Sequence, residues 1–192
     1  MSDRGYLTVV SGLPRTGTSM MMRMLEAGGM EAVKDDIRAA DVDNPNGYYE
    51  FERVKKIKDD SSWLSGAAGK AFKMVSMLLY ELPRKYEYRV VFIERDMDEM
   101  MASQVKMLER LGKPGGGDED DMKALYTKHL AEVKAWLGKQ KNVSVLYVNY
   151  NTFMSDPEAQ AAAVAGFLGG GLDTAKMAAV IDKGLYRNRA GK

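Results

Sequence analysis

The sequence contains no cysteine and a single histidine. The first absence removes disulfides, thiol nucleophiles and cysteine-based metal sites. The second removes multi-histidine metal centres and leaves any catalytic triad one candidate, His129. No apolar run approaches the ~18 residues that a membrane-crossing helix requires. Charge of one sign is also missing, since 28 Lys and Arg against 27 Asp and Glu leave a net charge of +1. Neither nucleic acid nor an anionic membrane is expected as a bulk partner, so any anion must be held by local arrangement. The charged start Met1-Ser2-Asp3-Arg4 carries no secretory pattern, and a cytoplasmic protein is expected.

What is present suits one domain over residues 1–192, with 45% hydrophobic and 29% charged residues and room for a core without staples. Fifteen methionines are many; Met20, Met21, Met22 and Met24 crowd one helical segment as core filler. Strand patterns alternate with helical ones, which predicts an α/β fold with a mainly parallel central sheet flanked by helices. Strands are expected at Tyr6–Ser11, Arg89–Glu94 and Val143–Val148, with a short one over 30–33, and Lys70–Val75 is a short apolar run. Helices are expected at Gly17–Ala27, Tyr49–Asp59, Met97–Leu111, Glu119–Leu137 and Pro157–Leu168, with a short one in the tail. Asp96 with Glu99 three positions on forms a capping-box pattern. Lys113-Pro114-Gly115-Gly116-Gly117 is a flexible loop, either a lid or a linker.

The chemistry concentrates in Gly12-Leu13-Pro14-Arg15-Thr16-Gly17-Thr18-Ser19, directly behind the first strand and opening the first helix. That order makes a phosphate cradle, in which loop N–H groups and the positive helix end converge on an anion. It nearly spells G-x-x-x-x-G-K-[ST], but Thr18 stands where the lysine belongs and the cation is Arg15. Thr16, Thr18 and Ser19 add hydroxyl donors. A second pair is Arg95, at the C-terminal end of a buried strand, and Ser103 eight residues on. Ligands gather at such strand ends in open α/β sheets, so the pair is a candidate second phosphate site.

At this point the residues resemble a family. Leu13 through Ser19 resemble the 5′-phosphosulfate loop of sulfotransferases that use 3′-phosphoadenosine 5′-phosphosulfate (PAPS), where a Lys or Arg takes the place of Arg15. Val91-Phe92-Ile93-Glu94-Arg95-Asp96 with Ser103 is similar to the family's 3′-phosphate site. Val145 through Tyr150, Asp156-Pro157 and Gly166-Phe167-Leu168-Gly169 resemble its late strand, turn and helix. Asn44-Pro45-Asn46-Gly47-Tyr48-Tyr49-Glu50 resembles a stretch of its bacterial members.

The resemblance implies a three-layer P-loop-type fold, PAPS as donor, adenosine 3′,5′-bisphosphate (PAP) as product and a small-molecule acceptor offering a hydroxyl or amine. Pro14, Arg15, Thr16, Gly17, Thr18 and Ser19 would hold the 5′-phosphosulfate, and Arg95 and Ser103 the 3′-phosphate. Tyr150 would lie near the adenine, and Lys73 matches a lysine two positions before a catalytic histidine. Val75 occupies that histidine's place. The C-terminal R-K-G motif is missing, with Arg187 and Arg189 as possible substitutes. Glu50 is then the first candidate base, alongside a helix-start role for the same carboxylate, with Glu52, Asp36 and His129 as rivals. His129 falls in register with Tyr126, Val133 and Trp136, which favours a packed structural histidine. No magnesium is required if side chains neutralise the moving group. Tyr48, Tyr49, Trp63, Met74, Met77 and Tyr80 line an acceptor pocket or belong to the core, the core being favoured. A P-loop kinase and a non-catalytic nucleotide binder remain the alternatives.

Overall fold

The protein is described by a computed structural model over residues 5–35, 37–41, 44, 47–112, 118–182 and 184. Four parallel strands form one sheet in the order β2-β1-β3-β4: β1 Leu7–Gly12, β2 Ala71–Val75, β3 Tyr88–Glu94 and β4 Val143–Asn149. The helices are α1 Thr18–Ala27, α2 Met97–Arg110, α3 Glu119–Leu137, α4 Tyr150–Ser155, α5 Pro157–Phe167 and α6 Thr174–Ala179. This is the α/β arrangement that the alternating pattern predicts.

Strand alternation explains how one sheet carries two cores. Successive side chains point to opposite faces. Val10, Val91 and Ile93 therefore face α1, α5 and α6, packing with Met21, Met22, Leu25, Val164 and Met177. Val9, Val90 and Phe92 face the other way, against Leu64, Leu79, Val133 and Leu137. The central strand β1 is buried at all six positions. Both faces of a parallel sheet must be covered, which is why its sequence is a near-continuous apolar run. Edge strand β4 is more open and exposes Tyr147.

Two expectations change. The helix expected over Tyr49–Asp59 is a short 3-10 helix, Glu52–Lys56, entered from extended Phe51. Phe51, Val54 and Ile57 recur every third residue, the 3-10 period, and Val54 and Ile57 are buried. Phe51 meets Trp63 edge-on at 5.2 Å. Over 30–33 there is no strand but one parallel bridge, Ala32 with Ala71. It lengthens the sheet by two hydrogen bonds, Val33 N–H to Ala71 C=O at 2.8 Å and Ala71 N–H to Glu31 C=O at 2.9 Å.

Because all four strands are parallel, their C-terminal ends share one edge. Gly12 registers with Val75 and Ile93, and Glu94 with Asn149. The glycine loop, Lys73, Arg95 and Tyr150 all arise at this edge. No described helix is long and apolar enough to cross a membrane.

Phe72 is fully buried and stacks edge-on against Trp63 at 5.0 Å. Phe72→Ala should cost about 3–5 kcal/mol of stability. Urea unfolding measures this directly, and a loss below 1 kcal/mol would contradict the packing described.

Candidate active site

The loop Gly12–Ser19 is shaped by three backbone features. Gly12 has φ 157°, and a Cβ there would lie 2.5 Å from the Ile93 carbonyl oxygen. Gly17 has φ 99°, and a Cβ there would sit 2.5 Å from the Tyr150 ring. Between them Arg15 adopts φ 66°. A non-glycine residue in that region is strained and needs support from its surroundings. Arg95 supplies it, donating from Nη1 to the Arg15 carbonyl at 3.3 Å. Arg15 in turn donates from Nε to Ser103 Oγ at 3.1 Å. The two constellations expected to bind separate phosphates are thus joined.

The join has a buried anchor that sequence reading did not find. Glu99 is 4% exposed and accepts from Arg95 Nε at 3.1 Å and from Asn151 Nδ2 at 3.1 Å. The capping-box pattern predicts that the Glu99 side chain turns back to the helix start. Only half of that box forms: Asp96 accepts from the Glu99 N–H at 3.0 Å, while the Glu99 carboxylate holds Arg95. The available signal was the i,i+4 spacing of Arg95 and Glu99. The Arg95 guanidinium lies 4.4 Å from the centroid of the Tyr150 ring, and burial raises the pKa of the Tyr150 hydroxyl.

The remaining loop residues divide. Thr16 is buried, and its hydroxyl donates to the Leu13 carbonyl at 2.8 Å, closing the turn; it does not line the cavity. Pro14, Gly17, Thr18 and Ser19 do line it. Ser19 donates to the Tyr48 carbonyl at 3.1 Å and accepts from Asn44 Nδ2 at 2.9 Å. That ties the start of α1 to the Asn44–Glu50 stretch.

A cavity of about 450 Å³ opens over this edge, and Arg15, Lys73, Arg95, Ser103, Tyr150 and Glu50 all contribute to it. Lys73, on β2, donates to the Tyr48 carbonyl and lies 3.9 Å from Glu50. Burial lowers its pKa to about 8; Glu50 opposes that shift, and Arg38, Arg15 and Lys55 add to it. Glu50 accepts from Arg38 at 3.1 Å and lies 3.8 Å from Lys55, so three cations surround one carboxylate. Tyr48 donates to Asp41 at 2.8 Å beneath the Arg38 guanidinium. Burial first, and then the Asp41 bond, raise its pKa to about 12.

Two of the rivals for the base, Glu52 and His129, lie elsewhere. Glu52 binds Lys55 and does not line the cavity. His129 Nε2 bonds to buried Ser76 Oγ at 2.8 Å beside the Tyr80 ring, again outside the cavity. Asp36, Arg187, Arg189 and the 113–117 loop lie outside the described residues. Of the apolar candidates, Tyr48 and Met74 line the cavity, Trp63 is core, and Met77 and Tyr80 are on the surface. Val75, 41% exposed, lines the cavity where a histidine was sought.

A glycine loop between β1 and α1 at the C-terminal edge of a parallel sheet, joined to a cation that follows β3, has the form of a P-loop. The sequence model of the sulfotransferase domain matches residues 7–188, and the chain belongs to that family. Among solved structures, it is similar to mouse sulfotransferase SULT7A1, a structure complexed with PAP, at 14% identity and TM-score 0.60 over 92% of this chain. The chain spans 63% of that protein's length. The sulfotransferase domain of the Synechococcus PCC 7002 olefin synthase follows at 13% identity and TM-score 0.53, covering 92% of this chain and 77% of that one. A sulfotransferase from Alicyclobacillus acidocaldarius aligns at 15% identity and TM-score 0.52, over 88% and 82%. These likenesses are of fold. The comparison with curated proteins gave no match.

Two outcomes follow from this geometry. Glu99→Ala strands Arg95 in a buried site and should cost about 3 kcal/mol or more, read by urea unfolding; an unchanged midpoint would show that the pair holds nothing together. For Lys73, the unfolded chain keeps its proton up to the ordinary 10.5, whereas the folded chain gives it up near 8. Stability therefore rises with pH across that window. Against Lys73→Met, the wild type should gain stability between pH 8 and 10, and a constant difference would refute the shift.

Proposed function

We propose that this protein transfers a sulfuryl group from PAPS to a hydroxyl or amine of a small acceptor, releasing PAP. The observation that carries this reading is the convergence of Arg15, Arg95 and Ser103 at one cavity, through the 3.1 Å and 3.3 Å bonds. Family membership supports it, and the mouse relative's complex with PAP points to the same nucleotide. The glycine cradle and its cations fit such a donor: bulk is excluded at Gly12 and Gly17, and Arg15, Lys73 and Arg95 line the space. We take residues 1–192 as one catalytic domain, in the cytoplasm, where a chain without cysteine needs no oxidant to fold.

When bound, PAPS supplies a sulfuryl group activated by its anhydride bond to phosphate. The protein's part is positioning, charge neutralisation and proton removal. The loop N–H groups, the start of α1, Thr18 and Ser19 hold the 5′ end. Arg95 and Ser103 hold the 3′-phosphate, with Arg187 and Arg189 assigned to the same end by resemblance alone. Tyr150 offers its ring to the adenine. Arg15 and Lys73 neutralise charge that grows on oxygen as the group moves. Glu50 lies 3.9 Å from Lys73 at the cavity wall and is the carboxylate placed to take the acceptor's proton.

PAP should raise the melting temperature without magnesium, whereas stabilisation by ATP with magnesium alone would favour a kinase. Transfer of labelled sulfate from PAPS then separates an enzyme from a silent binder. Glu50→Gln should cut turnover about 100-fold or more, with little change in PAP affinity. Undiminished turnover would remove Glu50 as the base.

A further inference from the structure

We infer that Glu99 is a positioning residue for the donor: by fixing the plane of the Arg95 guanidinium, it lets the site tell a phosphate on the ribose 3′ carbon from one on the 2′ carbon. Glu99 acts here through Arg95, and the assignment of Arg95 to that phosphate rests on the sulfotransferase reading.

A guanidinium is planar, and its donors keep fixed angles to one another. Holding two of its nitrogens therefore sets the orientation of the whole group. Arg95 donates from Nε to Glu99 Oε2 at 3.1 Å and from Nη1 to the Arg15 carbonyl at 3.3 Å. The guanidinium lies over the Tyr150 ring, 4.4 Å from its centroid. The Arg95 side chain is 8% exposed and that of Glu99 2%, so water screens the pair little. Arg95 also lines the cavity, and it meets whatever enters there with its orientation already set.

A carboxylate is needed at position 99 because two donors converge on it. Oε2 accepts from Arg95, and Oε1 accepts from Asn151 Nδ2 at 3.1 Å. Asn151 is oriented in turn, since its Oδ1 accepts from the Asp96 N–H at 3.4 Å. A glutamine has a single acceptor oxygen, and its NH2 group would face one of the two donors. Glu99→Gln thus keeps size and shape while removing the charge and one of the two bonds.

Glu99 has two opposed effects on a bound phosphate. Its negative charge weakens the pull of Arg95 on any anion, whichever ribose carbon carries it. Its hydrogen bond holds the Arg95 fork in one direction, and a phosphate moved to the neighbouring carbon no longer lines up with that fork. The charge therefore sets overall affinity, and the bond sets selectivity. Loss of the carboxylate should erase the choice between isomers without erasing the attraction for phosphate.

The test titrates the full chain by calorimetry with PAP, its isomer adenosine 2′,5′-bisphosphate and adenosine 5′-monophosphate. The wild type should bind PAP at least ~10-fold tighter than the isomer, which carries the same charge. In Glu99→Gln that preference should fall to within about two-fold, while both bisphosphates still bind tighter than the monophosphate. Should Glu99→Gln fail to fold, Asn151→Ala carries the test: it keeps the Arg95–Glu99 pair, removes one donor to the carboxylate, and should lower the preference about three-fold or more. A variant that keeps the wild-type preference overturns the inference, and so does one that loses all three nucleotides alike, as a merely structural role would require. Equal binding of the two bisphosphates by the wild type also overturns it and leaves the donor reading standing. A wild type that binds PAP no better than the monophosphate sinks the donor reading, and the role of Glu99 with it.

Discussion

The site depends on one backbone carbonyl, that of Arg15, turned into the left-handed region and held there by Arg95. That conformation costs on the order of 1–2 kcal/mol for a residue with a side chain. The cost is offset by a chain of contacts in which each member needs the next. Glu99, from the first turn of α2, fixes Arg95; Asn151, from the start of α4, fixes Glu99; Tyr150 fills the space against Gly17 that a side chain would occupy. Three crossovers from a parallel sheet therefore meet at one peptide. Parallel topology makes this possible by bringing the ends of β1, β3 and β4 to the same edge.

Much of this was legible in the sequence, and the reason is physical. Strong signals came where one local force dominates. The buried run Val90–Ile93, the span of α3 and the glycine-bracketed loop each follow from periodicity or from backbone freedom alone. The expectations that changed are those decided by tertiary contact. Phe51, Val54 and Ile57 carry a three-residue repeat that can be read as helix, and packing on Trp63 makes it a tighter turn. Ala32 pairs with Ala71 only because β2 arrives beside it from far along the chain.

The site was legible in its loop and less so in its supports. Arg15 and the pair Arg95 and Ser103, read as two separate groups, are joined directly at one edge of the sheet. Glu99 was read only as a cap, because the capping-box pattern with Asp96 took precedence over its i,i+4 spacing from Arg95. Thr16 shows the opposite limit, since a hydroxyl counted as a ligand donor closes its own turn. The cations around Glu50 come from three separate segments, and no spacing rule links Arg38, Lys55 and Lys73.

The face of the sheet that carries α1 is rich in methionine. Met21, Met22, Met24, Met30, Met154 and Met177 are all buried in that core. Thioethers are flexible and polarisable, so this side tolerates small changes of shape. In the unfolded chain the same groups meet oxidants, and each sulfoxide formed is polar and ill suited to return to the core. Methionine oxidation in the unfolded state therefore opposes refolding. In a chain without a single thiol, the oxidisable sulfur is thus all thioether, repaired by sulfoxide reduction rather than by disulfide exchange.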